Sequence, residues 1–482
     1  MSSILEYEPK LVWKHFDEIR KIPRCSKHEE KIRQYLLNFA KEHGLEAKTD
    51  KIGNVLIKKP ASKGMEKKPI VILQGHMDMV CEKNKEVKHD FSKDPIKLKI
   101  EGDHLTADGT TLGADDGVGV AIILAILEAK DIKHGPIEAL FTVDEETGLT
   151  GAFALESGFL KGKIMINLDS EDFGVITVGC AGGGDTIITL PIKKQKIDQN
   201  KDIFSVRVYG LRGGHSGVDI HEQRGNAIKL LSRILWKAKE KCNILIFDIT
   251  GGDKHNAIPR EATAIVAVDE KDKNEFLKIV DNEAKDILEE IKPIDPGFKV
   301  ETKESKEDKE FLDKKSTETV VNLLYGVPHG VLAMSFDIPD LVETSTNLAK
   351  VRVDGENITI AMSSRSSIKS ALQATRDRIH AIASLAGAKV EEGEPYPGWK
   401  PNMQSKLLAL ARKVFKDMFK EEAKVEAIHA GLETGIIGEK FPGMDMISIG
   451  PTIKYPHSPD EYVEISSVEK FYKYVLKLLE EI

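Results

Sequence analysis

Residues 69–80, PIVILQGHMDMV, decide how the chain is read. The apolar run from Ile70 to Leu73 has the uniform character of a strand buried on both faces of a parallel sheet. Gln74 and Gly75 lead from it into His76 and Asp78, at the carboxyl end, where open α/β sheets hold their ligands. Residues two apart on extended backbone point the same way, so His76 and Asp78 share a face. A carboxylate behind an imidazole is the pairing that orients a metal-bound histidine. The competing reading is a solitary His at a strand end, and the rest of the chain has to decide between them.

Two further apolar runs repeat the pattern. Residues 137–143, IEALFTV, end in Asp144-Glu145-Glu146-Thr147-Gly148, and residues 163–168, KIMINL, end in Asp169. A short run at 444–449 is followed by a loop that carries His457. Asp115 and Asp116 stand between glycines ahead of an apolar helix expected over 118–129, where a helix dipole alone would welcome carboxylates. One polar residue after a strand carries little information. The same placement repeated, with only His, Asp and Glu at the ends, makes a constellation.

The remaining organisation follows outward from this frame. At 482 residues the chain is too long for one ordinary core, so two domains are expected. Helices are expected over 9–22 and, opened by a Ser26-Lys27-His28-Glu29 capping box, to about 42. Residues 47–58 read as strand, turn and strand around Gly53-Asn54. The fold class is α/β: a catalytic domain at 1–183 and 389–482, with a mixed, mainly parallel sheet between helices, interrupted by an inserted α+β lid domain at 184–388. Gly182-Gly183-Gly184 reads as the hinge into the insertion. Within it, strands at 204–209 and 262–268 alternate with helices at 225–239 and 273–291, and 193–201 and 303–315 read as solvated charged stretches. HNAIPREATAIVAV and STNLAKVRVDGENITIAM, each followed by a helix, suggest two related halves with Asn256 and Asn347 in corresponding places. The first domain resumes with a helix over 406–419.

Composition narrows the function classes. A net charge of −8 gives no hint of a nucleic-acid partner, and no apolar run reaches membrane-spanning length. The four cysteines form no CxxC pair and no disulfide framework, which points to a reducing, cytoplasmic setting. Phosphate-loop and GxSxG nucleophile signatures are absent from the sequence. Two His and three carboxylates are too few for two separate metal sites but suffice if one carboxylate bridges two ions. Imidazole and carboxylate ligands favour Zn2+, with Co2+ or Mn2+ also suited. Of the adjacent Glu145 and Glu146, one can hold metal while the other serves an attacking water.

GHMDMV, GADDGVG, DEETG, NLDSED and PHSPDE, in this order, resemble the M20-type metallopeptidase family. IRKIPRCSKHEEKIRQYL and HAGLETGII resemble its aminoacyl-histidine dipeptidase branch, and the likeness covers essentially the whole chain. The resemblance implies a di-metal dipeptidase acting on small peptides, with His76 and Asp169 on one ion, Glu146 and His457 on the other, and Asp115 bridging. It implies Glu145 as general base to a metal-bridged water, Asp78 as the residue orienting His76, and a cis bond between Asp115 and Asp116. His215 resembles the lid His that stabilises an oxyanion, Asn256 and Arg365 resemble substrate-holding lid residues, and Gly431 a backbone contact to substrate. Alternatives are a tripeptidase or N-acyl amino-acid deacylase of the same family, or a metal-dependent binding protein without turnover. A homodimer is compatible with this reading, although the size of the insertion predicts that His215 serves its own chain.

Overall fold

In the computed structural model, described over residues 3–197, 200–307 and 310–482, the chain divides into two compact units. The first comprises residues up to Gly179, Trp399–Ala427 and Leu432–Ile482, and the second Cys180–Gly398 and Ile428–Gly431.

The first unit holds an eight-stranded sheet in the spatial order Glu46–Thr49, Val55–Lys59, Ile137–Thr142, Val71–His76, Ile164–Asn167, Asp445–Ser448, Val175–Cys180, Lys424–Ile428. Val71–His76 runs parallel to both neighbours, and Asp445–Ser448 runs parallel to Ile164–Asn167. Antiparallel strands flank this parallel centre. All six residues of Val71–His76 and of Ile137–Thr142 are buried, as expected for strands covered on both faces. The helix Ala114–Glu128 is buried along its whole apolar length from Val118 to Leu127 and packs against Lys10–Ile19, whose Val12, Trp13 and Phe16 are also buried. Truncating one such side chain, for instance Ile123→Ala, would cost about 2–5 kcal/mol. The register sets His76 opposite Thr142 and Gln74 opposite Asn167. The carboxyl ends of the three parallel strands are therefore level, and the residues that follow them emerge at one edge.

The second unit is a mostly antiparallel sheet in the order Lys299–Glu304, Lys201–Tyr209, Ala262–Asp269, Ile244–Gly251, Val342–Asp354, Asn357–Ser366, Gly182–Pro191, Lys389–Glu392, with Gly330–Met334 paired to Val342–Asp354. Four helices share its core, contributing Leu231, Val280, Val321 and Ile379 against strand residues such as Val206, Val266 and Ile360. The sheet order is palindromic. Each half runs strand, helix, strand, strand, helix, strand, and the first half is inserted after the opening strand of the second.

Several expectations need correction. Cys25 and Cys81 are disulfide-bonded, with Cα atoms 5.7 Å apart, because residues 24–26 lie alongside the segment after His76 and Cys25 bridges Met79. A sequence separation of 56 concealed that neighbourhood, and the argument from cysteines to a reducing compartment falls with it. Ser26 and Glu29 form no capping box: Ser26 Oγ donates to Asp78, and Glu29 accepts from the Lys27 and Asp144 amides. The charged stretches are not simply solvated, since Lys194–Gln195 pairs with Phe311–Leu312, whose side chains are buried; residues 198–199 and 308–309 of those stretches lie outside the described residues. Gly182–Gly184 is not a free hinge but the start of a strand that bonds to the returning chain, Gly183 N–H donating to Tyr396 O at 3.1 Å and Tyr396 N–H to Gly183 O at 2.9 Å. A Cβ on Gly182 would sit 2.4 Å from Gly398 N, so the close approach of the two chains needs glycine there. Lys389–Glu392, placed in the first domain from sequence, pairs with Gly182–Pro191 in the second unit. Asn256 and Asn347 are not equivalent: Asn347 lies within Val342–Asp354, whereas Asn256 lies in the connection after Ile244–Gly251. No helix among the described residues is long and apolar enough to cross a membrane.

Candidate metal centre

Asp78 organises the edge of the parallel strands. It is fully buried, its Oδ1 lies 3.3 Å from His76 Nδ1 and accepts the Glu145 amide at 3.1 Å. Its Oδ2 accepts Ser26 Oγ at 2.8 Å and the Glu146 amide at 3.3 Å. One carboxylate thus fixes both the His76 ring and the backbone that presents the glutamate pair. Burial pushes the Asp78 carboxyl up, but His76, the Glu145 amide and Ser26 together bring it below the usual range. Asp144, which starts the turn Glu145–Gly148, has φ of 50°, a left-handed conformation disfavoured for a side-chain-bearing residue. Its carboxylate is held by the Thr147 and Thr150 hydroxyls and its amide by Glu29, which is how the turn persists.

Held this way, His76 Nε2 faces Asp115 Oδ1 at 3.0 Å and Asp169 Oδ1 at 3.3 Å. The other oxygen of Asp115 faces His457 Nε2 at 3.0 Å, and His457 Nε2 is 2.9 Å from Glu146 Oε2. Two donor groups result, His76–Asp115–Asp169 and Asp115–Glu146–His457, and they share Asp115. The five side chains predicted as ligands are brought together from positions spread over most of the sequence. Glu145 and Asp78 stand beside them, and the Asp115–Asp116 peptide bond is cis.

The loop that presents Asp115 is shaped from below and above. Asp116 turns inward, its Oδ2 accepting the His76 amide at 3.2 Å. A Cβ on Gly75 would lie 2.2 Å from Asp116 Oδ2, and one on Gly119 2.1 Å from Asp116 Oδ1, which accounts for both glycines. On the other side Glu461, 1% exposed, accepts the amides of Leu112 (2.7 Å), Gly113 (3.0 Å), Ala114 (2.7 Å) and Asp115 (3.3 Å). Arg24, also buried, donates to the carbonyls of Met77, Asp78 and Gly113 and so ties this loop to the His76 strand. Neither residue was singled out in the sequence. Glu461 looks there like one more surface acid in PHSPDE, and only its burial against four amides reveals its work. Glu461→Gln turns an acceptor into a donor facing amide donors. It is expected to weaken metal affinity about 10–100-fold and to lower stability by about 1–3 kcal/mol. Metal titration and thermal denaturation of the variant would check both.

The electrostatics are those of carboxylates crowded around two imidazoles. Burial, with Asp169, Glu433 and Glu146 nearby, holds the Glu145 carboxyl well above its usual range. Burial likewise pushes Asp169 up to about 7 and Glu433 to about 7. Hydrogen bonds to Asp115 and Glu146 push His457 up to about 11. For His76 burial acts downward, but Asp169, Asp115 and Asp78 outweigh it and raise it. Asp115 lies well below its usual range despite burial, through both imidazoles. In each donor group an imidazole nitrogen lies 2.9–3.3 Å from carboxylate oxygens, a spacing that a divalent cation held between them would satisfy. Glu146 Oε1 is buried with no hydrogen-bond partner among the described residues, which leaves it free to act as a ligand in the same place. Two His and three carboxylates, one able to bridge, fit a pair of first-row divalent ions.

The predicted substrate-contact residues all belong to the second unit. His215 sits on the short strand Gly214–His215, and its Nδ1 accepts the amides of Gly217 (3.3 Å) and Val218 (3.0 Å). The neutral ring therefore carries its proton on Nε2. Burial and then Arg365 lower its pKa, which keeps it neutral. Arg365 is 7% exposed; its Nη1 donates to Tyr396 OH at 2.8 Å, and its Nε has no hydrogen-bond partner among the described residues. A Cβ on Gly217 would lie 3.1 Å from both Arg365 Nε and His215 Cε1, so these groups converge on that glycine. A Cβ on Gly431 would lie 3.0 Å from the Tyr396 ring. Asn256 is half-buried in a loop whose carbonyls at His255 and Ala257 accept from Asn347 Nδ2. Tyr396, which links Arg365 to Gly431, was not foreseen.

This combination of a parallel sheet with a shared-carboxylate centre at its carboxyl edge defines a metallohydrolase, and the chain belongs to peptidase family M20/M25/M40, whose model matches residues 72–481. It is 41% identical to the cytosol non-specific dipeptidase of Escherichia coli over 483 aligned residues, covering 100% of this chain and 99% of that protein. The crystal structure of aminoacylhistidine dipeptidase from Vibrio alginolyticus superposes with a TM-score of 0.95 at 41% identity, over 100% of this chain and 98% of that one. Aminopeptidase PepT from Bacillus cereus shares the fold, with a TM-score of 0.57 at 18% identity over 98% and 99% of the two chains.

Proposed function

We propose that this peptidase is a cytoplasmic dipeptidase working with two divalent cations, Zn2+ in preference to Co2+ or Mn2+. His76 and Asp169 would hold one ion, Glu146 and His457 the other, and Asp115 both. When bound, the pair supplies Lewis acidity for the scissile carbonyl and for an attacking water. Glu145 takes the proton of that water and returns it to the leaving amine. Asp78 keeps the His76 ring and the glutamate backbone aligned. His215 donates from Nε2 to the developing oxyanion. Arg365 takes the terminal carboxylate of the peptide, and Asn256 and the Gly431 backbone hold its main chain.

The observation that carries this reading is the sharing of Asp115 between two donor groups, with Glu145 presented beside Glu146 by the same carboxylate, Asp78. Identity of 41% over the full length to two proteins named as dipeptidases, one of them as cytosolic, supports the substrate and the compartment. The expected result is release of free amino acids from dipeptides faster than cleavage of tripeptides, abolished by a chelator and restored by adding Zn2+. Full activity in chelator, or preference for tripeptides, would refute it. His215 is taken to serve its own chain, whether or not a homodimer forms. Mixing Glu145→Gln with His215→Ala protein should then restore almost no activity, and recovery of a substantial fraction of the wild-type rate would show that sites are shared between subunits.

A further inference from the structure

Arg365, Gly183 and Tyr396 lie level on three neighbouring segments of the second unit. Gly183 is the register partner of Arg365 and is bridged on its other side by Tyr396. Directly opposed residues send their side chains to the same face of a sheet, and the glycine in the middle has none to send. A Cβ on Gly183 would lie 2.4 Å from Tyr396 OH and 2.5 Å from its Cζ, so the ring lies over the glycine and spans the gap. Its hydroxyl thereby reaches the next strand but one, where it accepts Arg365 Nη1 at 2.8 Å. Gly431 gives the same ring room, since a Cβ there would lie 3.0 Å from Tyr396 Cε2.

This contact leaves one edge of the guanidinium open. A guanidinium takes a carboxylate through two parallel N–H groups along one edge. Nη1 is engaged by Tyr396, whereas Nε is buried with no hydrogen-bond partner among the described residues. The Nε edge faces Gly217, where a Cβ would lie 3.1 Å from Arg365 Nε and 3.1 Å from His215 Cε1. The open edge therefore borders the same glycine as the His215 ring. Burial raises the Tyr396 phenol above its ordinary range, so it meets Arg365 as a neutral acceptor. A carboxylate in its place would orient the guanidinium but compete with an incoming anion for its charge. We propose that Tyr396 is a positioning residue for recognition of the peptide's carboxyl end. It holds Nη1, turns the Nε edge of Arg365 to the substrate and so restricts the enzyme to peptides with a free terminal carboxylate. This assignment rests on the reading of Arg365 as the carboxylate-binding group.

The test compares Ala-Ala with its carboxamide, Ala-Ala-NH2, as substrates for wild-type, Tyr396→Phe, Arg365→Met and doubly substituted protein. The wild-type protein should prefer the free acid. Tyr396→Phe keeps the ring over Gly183 and removes only the hydroxyl. In it that preference should fall about tenfold, through KM and not kcat, the scale of one hydrogen bond to a charged group. Adding Tyr396→Phe to Arg365→Met should lower the preference no further, because the hydroxyl acts only through the guanidinium. Gly183→Ala, whose Cβ would crowd the hydroxyl off Arg365, should reproduce the loss, and it decides the matter in the same way if Tyr396→Phe does not fold. An unchanged preference in Tyr396→Phe, a loss confined to kcat, or a further loss in the double variant overturns the assignment and leaves the dipeptidase reading standing. A wild-type protein that cleaves both substrates equally well overturns the reading of Arg365 along with it, and one that does not cleave Ala-Ala overturns the dipeptidase reading as well.

Discussion

Glu145→Gln is expected to lower kcat by about 10²–10⁴-fold, the range that a positioned general base supplies. The amide keeps the shape of the side chain and cannot accept the proton of a water. Glu145 is well suited to the task because burial and the neighbouring acids Asp169, Glu433 and Glu146 raise its affinity for a proton. Its backbone amide remains anchored on Asp78 Oδ1, so the replacement does not disturb the turn that presents Glu146. A third donor group, His76–Glu145–Glu146, is also close enough to hold a cation. Metal analysis separates the two roles: two ions per chain in an inactive variant make Glu145 a base, whereas loss of an ion makes it a ligand. A variant with wild-type turnover would remove it from the chemistry altogether.

Asp115→Ala should have the broader consequence. Its two oxygens face different imidazoles, His76 Nε2 and His457 Nε2, each at 3.0 Å. Among the described residues no other side chain belongs to both the His76–Asp115–Asp169 and the Asp115–Glu146–His457 group. Removing it therefore weakens both positions together and leaves Asp169, Glu146 and Glu145 crowded around the two imidazoles with less to hold them apart. Loss of both ions and of all but about 10⁻³ of the activity is the expected result, the Lewis acid and the acidified water disappearing together. By contrast His457→Ala touches one donor group only and should leave one ion bound. Calorimetric metal titration distinguishes these outcomes. Equal loss in the two variants would mean that Asp115 does not bridge.

What was legible in the sequence was the set of reacting side chains, because each lies at a place that local pattern marks. His76, Glu146 and Asp169 directly follow apolar runs, and a buried parallel strand announces itself by composition over a handful of residues. The long helices 273–291 and 406–419 were found to the residue, since amphipathic periodicity accumulates over several turns. The family's ordered motifs then identified Asp115 and His457, which local pattern alone left ambiguous between a helix-dipole carboxylate and a loop histidine.

Misreadings cluster where a residue's partner is far away in sequence. Ser26 and Glu29 carry the letters of a capping box, yet their partners are Asp78 and Asp144. Cys25 and Cys81 look unrelated until Arg24 binds the carbonyls of Met77 and Asp78 and draws the two segments together. Gly182–Gly184 reads as flexibility, whereas its missing side chains make room for Tyr396, Gly398 and Arg376.

The amino-acid sequence by itself determined the parallel strands, the chemistry at their carboxyl ends and membership of a metallopeptidase family, because each depends on local composition or on motifs in order. The tertiary structure decided which of those groups share a carboxylate and which acids are spent on holding backbone. Glu461 is a glutamate in acidic, unremarkable surroundings of the chain. It is buried against four amides, and that role exists only once segments hundreds of residues apart have packed together.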